Sequence, residues 1–148
     1  MAAVLRQHWA ALRRWGGVLE HPAYSHAWLA HGLPWPPPTG GWHADTSGGW
    51  CCHVEQGHYG HVSRKATWIY AVDCDLPDLI WGQGEQRLDP VMVERHGYAK
   101  ARRIGIVAMA GGKRKTEIRN ATPPEFRDML IAMARTARVP ADAQASAA

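Results

Sequence analysis

The sequence predicts an α/β domain in which a small mixed β-sheet is flanked by helices. Three observations carry this. Leu5, Trp9, Leu12 and Trp15 near the start, and Phe126, Met129, Leu130 and Met133 near the end, recur at helical spacing. Between them lie short runs built from β-formers, of which Thr67–Val72 is the richest. Gly and Pro punctuate the intervals, so the strands must be short.

In chain order, residues 2–15 read as a helix stopped by Gly16 and Gly17. Val18 and Leu19 begin a short strand through Glu20 and His21. Pro22 has no N–H to give a ladder and ends it. Residues 24–31 suggest a short helix, and Pro34–Gly41 an extended loop. Ser47-Gly48-Gly49 marks a turn before a strand at Cys51–Gln56, and Gly57–Gly60 a further loop before Thr67–Val72. The chain turns away at Asp73–Asp78. Residues 82–103 are polar and glycine-bearing and predict little regular structure. Ile104–Met109 suggests a short strand and Gly111–Lys115 a basic loop. Thr122-Pro123-Pro124-Glu125 has the pattern of a capping box, with Thr122 as N-cap and Pro123 as the first helical residue, opening a helix to about Arg138. The expected domain is residues 1–138, followed by a flexible Ala-rich tail at 139–148.

Composition narrows the function classes. With 148 residues, 46% hydrophobic and 20% charged, the chain has material for one core and is not of disordered type. Eight Trp against one Phe is unusual. An indole is apolar with one polar N–H, which suits core edges and grooves. The net charge of +4 favours polyanionic partners. Three cysteines, two of them adjacent, do not make a disulfide framework, and a reducing cytoplasm is the expected compartment. No signal peptide is recognisable and no apolar run is long enough to span a membrane.

Several constellations are candidates for chemistry. Glu20 and His21, at the end of a strand, form a possible acid/base pair, with a structural ion pair or backbone-bonded Glu20 as the alternative. Arg64, Lys65, Lys113, Arg114 and Lys115 form basic clusters. With Tyr59, Trp42 and Trp50 they suggest phosphate contact and base stacking, or merely solvated loops. Cys52, His58 and His61 are weak zinc candidates, because Cys51 and Cys52 on one strand must face opposite ways. Core cysteines and surface histidines are the alternative. Gly111-Gly112-Lys113 lacks the spacing of a phosphate-binding Walker loop, and Gly82-Gln83-Gly84 is too short for a dinucleotide fingerprint.

Three motifs bear a family resemblance. Leu19-Glu20-His21-Pro22, His58-Tyr59-Gly60-His61 with Lys65-Ala66-Thr67 after it, and Thr122-Pro123-Pro124-Glu125-Phe126-Arg127 together resemble phage and prophage proteins akin to a divergent branch of DNA cytosine-5 methyltransferases. The resemblance spans residues 5–138 and implies the second half of a Rossmann-like methyltransferase fold. It implies that Glu20 stands where that family's Glu meets a flipped cytosine, and that Arg64 and Lys65 hold the base and its phosphate. Position 21 departs from the pattern, being His and not Asn. No Pro-Cys nucleophile and no glycine-rich cofactor strand precede residue 17, so no S-adenosylmethionine binding is expected of the isolated chain, which is not a self-sufficient methyltransferase.

The expectation is a phage-type DNA-modification-related protein of a bacterial host cytoplasm, binding nucleic acid, with a protein that supplies the missing half as a second candidate partner. The alternatives from other classes are a small metal-dependent hydrolase using the His/Cys cluster, and a phage inhibitor acting on a host defence complex by surface contact.

Overall fold

The computed structural model describes residues 2–88, 90–104 and 113–139, with side chains placed outside 2–6, 104 and 113–115. Four strands form one sheet: β1 (Gly17–Pro22), β2 (His43–Ala44), β3 (Trp50–Glu55) and β4 (Ala66–Val72). Their order is β1-β4-β3-β2. Every ladder among them is antiparallel, with Glu20 opposite Ile69, His21 opposite Trp68, and Cys52 also opposite Ile69. The sheet is therefore antiparallel and not mixed. The three long strands fall where the β-formers lie, and Pro22 is tolerated because β1 is an edge strand.

Alternation along the strands divides the core in two. Cys51, Trp68, Tyr70 and Val72 face one way, where α1 (Ala2–Trp15) and α2 (His26–Ala30) cover them with Trp9, Leu12 and Trp28. Cys52, Val54 and Ile69 face the other way, where α6 (Pro124–Arg135) lays down Phe126, Met129 and Leu130, with Met133 against Ala71. Both helices carry an apolar stripe, and the two faces of the sheet bury them. Gly16 closes α1 in the left-handed region, at φ +72, and a side chain there would also strike the carbonyl of Arg138, only 2.7 Å from its Cβ position.

The remaining helices depart from expectation. The polar, glycine-bearing run 82–103 predicts little regular structure, yet it opens into α3 (Pro90–His96) and α4 (Tyr98–Ile104), joined at Gly97 with φ +75. Polar helices hide from a hydrophobicity-led reading; here Met92 and Ala101 are the only fully buried side chains described on the pair, and the two helices pack chiefly on each other. The run before them is pinned too: Gly84 N–H donates to Glu55 at 2.8 Å and Arg87 N–H to the Val62 carbonyl at 2.9 Å. Ile104 ends α4, while the rest of the strand expected at Ile104–Met109 lies outside the described residues, as do Gly111, Gly112 and the tail beyond Val139. Lys113, Arg114 and Lys115 open a helix, α5 (Lys113–Asn120), and not a loop; their side chains lie outside the described part. The last helix starts one residue later than the capping box implies. Pro123 is the N-cap and no side chain bonds the cap, because Thr122 is displaced from the helix entrance by a second proline. Gly57–Gly60 is mostly a 3₁₀ turn, Gln56–Tyr59, closed by Gly60 at φ +95.

Candidate nucleic-acid interface

The 3₁₀ turn brings the chain from β3 back to β4 through Arg64 and Lys65. The backbone is locked by Gln56 N–H to the Lys65 carbonyl (3.2 Å) and Gly57 N–H to the Arg64 carbonyl (3.0 Å). Lys65 takes a left-handed conformation, φ +44, which an unbranched side chain adopts only at a cost. From there its Nζ donates to the Ala121 carbonyl at 2.6 Å. His61 makes a second tie to the same region. Its Nδ1 accepts from Ser63 N–H at 3.0 Å, so Nε2 carries the proton given to the Ile118 carbonyl at 3.0 Å. These two bonds hold the end of α5 over the sheet edge and place Arg119 and Asn120.

Two clefts of about 520 Å³ each result, and they share Lys65. The first is lined by Ser63, Arg64, Lys65 and Gln86, with Arg102 and Arg103 from α4. The second is lined by Glu20 and Pro22 of β1, with Lys65, Arg119, Asn120 and Thr122. Five cations and one carboxylate thus line a continuous surface contributed by β1, the β3–β4 connection, α4 and α5. Arg64 is partly tethered: with the Gln83 amide oriented oxygen-first, Gln83 accepts from its guanidinium.

Glu20 sits on the α6 side of the sheet and accepts from the Gln56 amide at 3.3 Å. Gln56 is fully buried, and its amide also donates to Thr67 Oγ1 at 2.9 Å, while among the described residues its own Oε1 has no partner. Burial pushes the Glu20 carboxyl above its ordinary pKa, against the pull of the Lys65 and His21 charges. Burial likewise pushes the Lys65 ammonium down, opposed by Glu20.

Several expected partners are elsewhere. His21 pairs across with Trp68 and so faces away from Glu20, because adjacent residues on a strand point to opposite faces. Its ring lies 3.4 Å from the Pro22 carbonyl. Tyr59 is not a stacking platform. It is buried against Phe126, ring centroids 5.2 Å apart, and its hydroxyl accepts from Ile80 N–H at 3.1 Å. Trp42 is half-buried edge-on to Trp81, with its N–H on the Pro77 carbonyl.

The zinc candidates are also dispersed. Cys52 is sealed in the core under α6, His58 hydrogen-bonds the Gly82 carbonyl, and His61 staples α5. Among the described residues no three His, Cys, Asp or Glu side chains gather to hold a metal ion. Burial raises all three thiols, Cys51 to about 11, so none is a ready thiolate. A separate groove between α1 and β1, lined by Leu12, Trp15, Val18 and Leu19, is largely apolar, with His8 the one polar side chain in its described lining.

Comparison of the chain with protein-family models, with curated proteins and with solved structures returned no match. Among the described residues no helix is long and apolar enough to cross a membrane.

Proposed function

We propose that this protein binds nucleic acid through the cationic surface around Lys65, in the DNA-modification-related role that the Leu19–Pro22 and Lys65–Thr67 motifs suggest. The observation that carries the reading is the convergence of Arg64, Lys65, Arg102, Arg103 and Arg119 on two adjoining clefts. Cations from three separate segments placed along one track match the repeating charge of a phosphate backbone.

The family resemblance has uneven support. Glu20 stands in a cleft beside Lys65, as the base-contacting reading needs. A transferase half has less behind it: among the described residues the sheet holds no parallel strand pair, and no thiol lines either cleft. Binding, and not catalysis by this chain alone, is the reading the geometry favours.

The test is a titration of labelled DNA across a salt series. With about four phosphates neutralised, log affinity should fall against log salt with a slope near −3 for a single strand. Arg102→Ala with Arg103→Ala should weaken binding of every sequence alike and flatten that slope by about 1.4. Salt-independent binding, or a double variant with the parent's slope, would show that the phosphates lie elsewhere.

A further inference from the structure

Beyond the clefts, on the other side of the sheet end, two large aromatic side chains stand half in solvent: Tyr24 at 53% and Trp35 at 52% exposure. Both rest on Trp68, which is fully buried. The Tyr24 ring centroid is 5.1 Å from that of Trp68 and the Trp35 centroid 5.4 Å, and the two outer rings meet edge-on at 5.8 Å. The base of this stack is fixed. Trp68 Nε1–H donates to His53 Nδ1 at 3.1 Å, and His53 is itself only 2% exposed. The loop carrying Trp35 is fixed as well, since Trp28 Nε1–H donates to the Pro34 carbonyl at 2.9 Å and Pro36 is buried. Tyr24 has a left-handed backbone, φ +63, in a residue type that rarely accepts it. Such strain concentrates where a side chain must be presented.

The position of the pair links it to the clefts. Pro22 lines the Glu20–Lys65 cleft, and Tyr24 follows two residues later. Ala23 N–H donates to the Ala66 carbonyl at 3.0 Å, tying this corner to the residue next to Lys65. Cationic track and aromatic platform therefore lie at the same end of the β1–β4 pair, on opposite faces of the sheet.

We infer that Tyr24 and Trp35 form a stacking platform for an unpaired base, and that the ligand of the Lys65 surface is single-stranded nucleic acid. The inference rests on the nucleic-acid reading above and narrows it. Aromatic faces stack on any base but need one that is free of its own duplex stack, whereas phosphates are offered by single strands and duplexes alike. A strand lying in the clefts has its next bases free to turn over Pro22 onto the rings.

The experiment measures binding of a fluorescein-labelled oligothymidylate and of a duplex of equal length to the full chain. The parent should prefer the single strand. Tyr24→Ala and Trp35→Ala should each weaken single-strand binding by about tenfold. They should leave both the salt slope and duplex binding unchanged. Lys65→Ala should weaken both ligands and flatten the slope. Tyr24→Leu retains an apolar contact with Trp68 and serves if the alanine variant melts early; it should show the same selective loss. If the parent binds both ligands and the Tyr24 and Trp35 variants lower neither or lower both equally, the platform is wrong while the cationic surface stands. If the parent binds neither ligand, the nucleic-acid reading falls and the platform with it.

Discussion

Replacing Glu20 by Gln separates a charge placed for function from one placed for stability. The amide has the carboxylate's shape and still offers an oxygen to the Gln56 N–H 3.3 Å away. Two effects oppose each other. A hydrogen bond to a charged acceptor is weakened to a neutral one, at about 1 kcal/mol, and the desolvation of a half-buried charge is relieved. The raised pKa of Glu20 reports which wins in the folded chain: burial outweighs Lys65, His21 and the hydrogen bonding together. The substitution should therefore leave stability unchanged or raise it at neutral pH, by up to about 1 kcal/mol, or about 3 °C in melting temperature for a chain of this size. The pH dependence has a definite sign. A carboxyl whose folded pKa is raised holds its proton more tightly than in the unfolded chain, so its contribution is greatest below the ordinary value of 4.5 and is lost as pH climbs through the folded value. Glu20→Gln has no such proton, and its melting temperature relative to the parent should climb between pH 4.5 and 7. Binding should strengthen at the same time. A unit charge about 7 Å from a phosphate, at an effective dielectric of about 40, is worth about 1 kcal/mol, or roughly fivefold in affinity before screening. The assays are circular-dichroism melts at a series of pH values and a DNA titration in low salt. A variant that melts several degrees lower at pH 7 would refute the account and make Glu20 a structural partner. A loss confined to cytosine-containing strands would instead assign it to base recognition, as the family resemblance implies.

Acidification should weaken the fold through two histidines. His53 and His61 are held below their ordinary value of 6.5 chiefly by burial, so stability is lost as pH falls below that value, by at most about 1.4 kcal/mol per pH unit for each. Urea unfolding at pH 7.5 and 5.5 measures this, and equal midpoints would contradict it. Tyr70→Phe removes the 2.5 Å bond from the Tyr70 hydroxyl to Asp45, whose other oxygen organises the turn through Ser47 and Gly49 N–H. A cost of about 2 kcal/mol, seen as a drop of about 6 °C in a thermal melt, is expected. Phe126→Ala empties a fully buried site between α6 and Ile69 and should cost about 3–5 kcal/mol, lowering the melting temperature by about 10 °C or more. A smaller loss would mean that α6 does not close this half of the core.

Local chemistry was legible where neighbours in sequence decide the outcome. The helical stripes of α1 and α6, the β-formers of β3 and β4, the glycines after Trp15 and the proline at the end of β1 place their elements within a residue or two, save the end of α6, which stops three residues short at Arg135. So was the opposite facing of Cys51 and Cys52, since alternation on a strand needs no knowledge of the partner. The same rule, applied to Glu20 and His21, would have separated them. Polar helices α3 and α4 were missed because their residues bury little apolar surface, which is the signal that a periodicity reading uses.

The candidate site was legible only in part, and the split follows the range of the interactions. Lys65 and Arg64 stood out as basic neighbours and do lie together in a cleft. Tyr59 stood close to them in sequence, yet the 3₁₀ turn rotates it into the core against Phe126. Arg102, Arg103 and Arg119 come from distant helices, and Tyr24 and Trp35 gain their meaning from Trp68 beneath them. By itself, then, the sequence determined the elements and their inward faces, because propensity and periodicity act over a few residues. Only the tertiary structure decided the antiparallel order of the sheet, and which charges and rings share a surface. Those depend on strand pairing and on contacts such as His61 with Ile118 and Lys65 with Ala121, made between segments whose separation along the chain leaves no local trace.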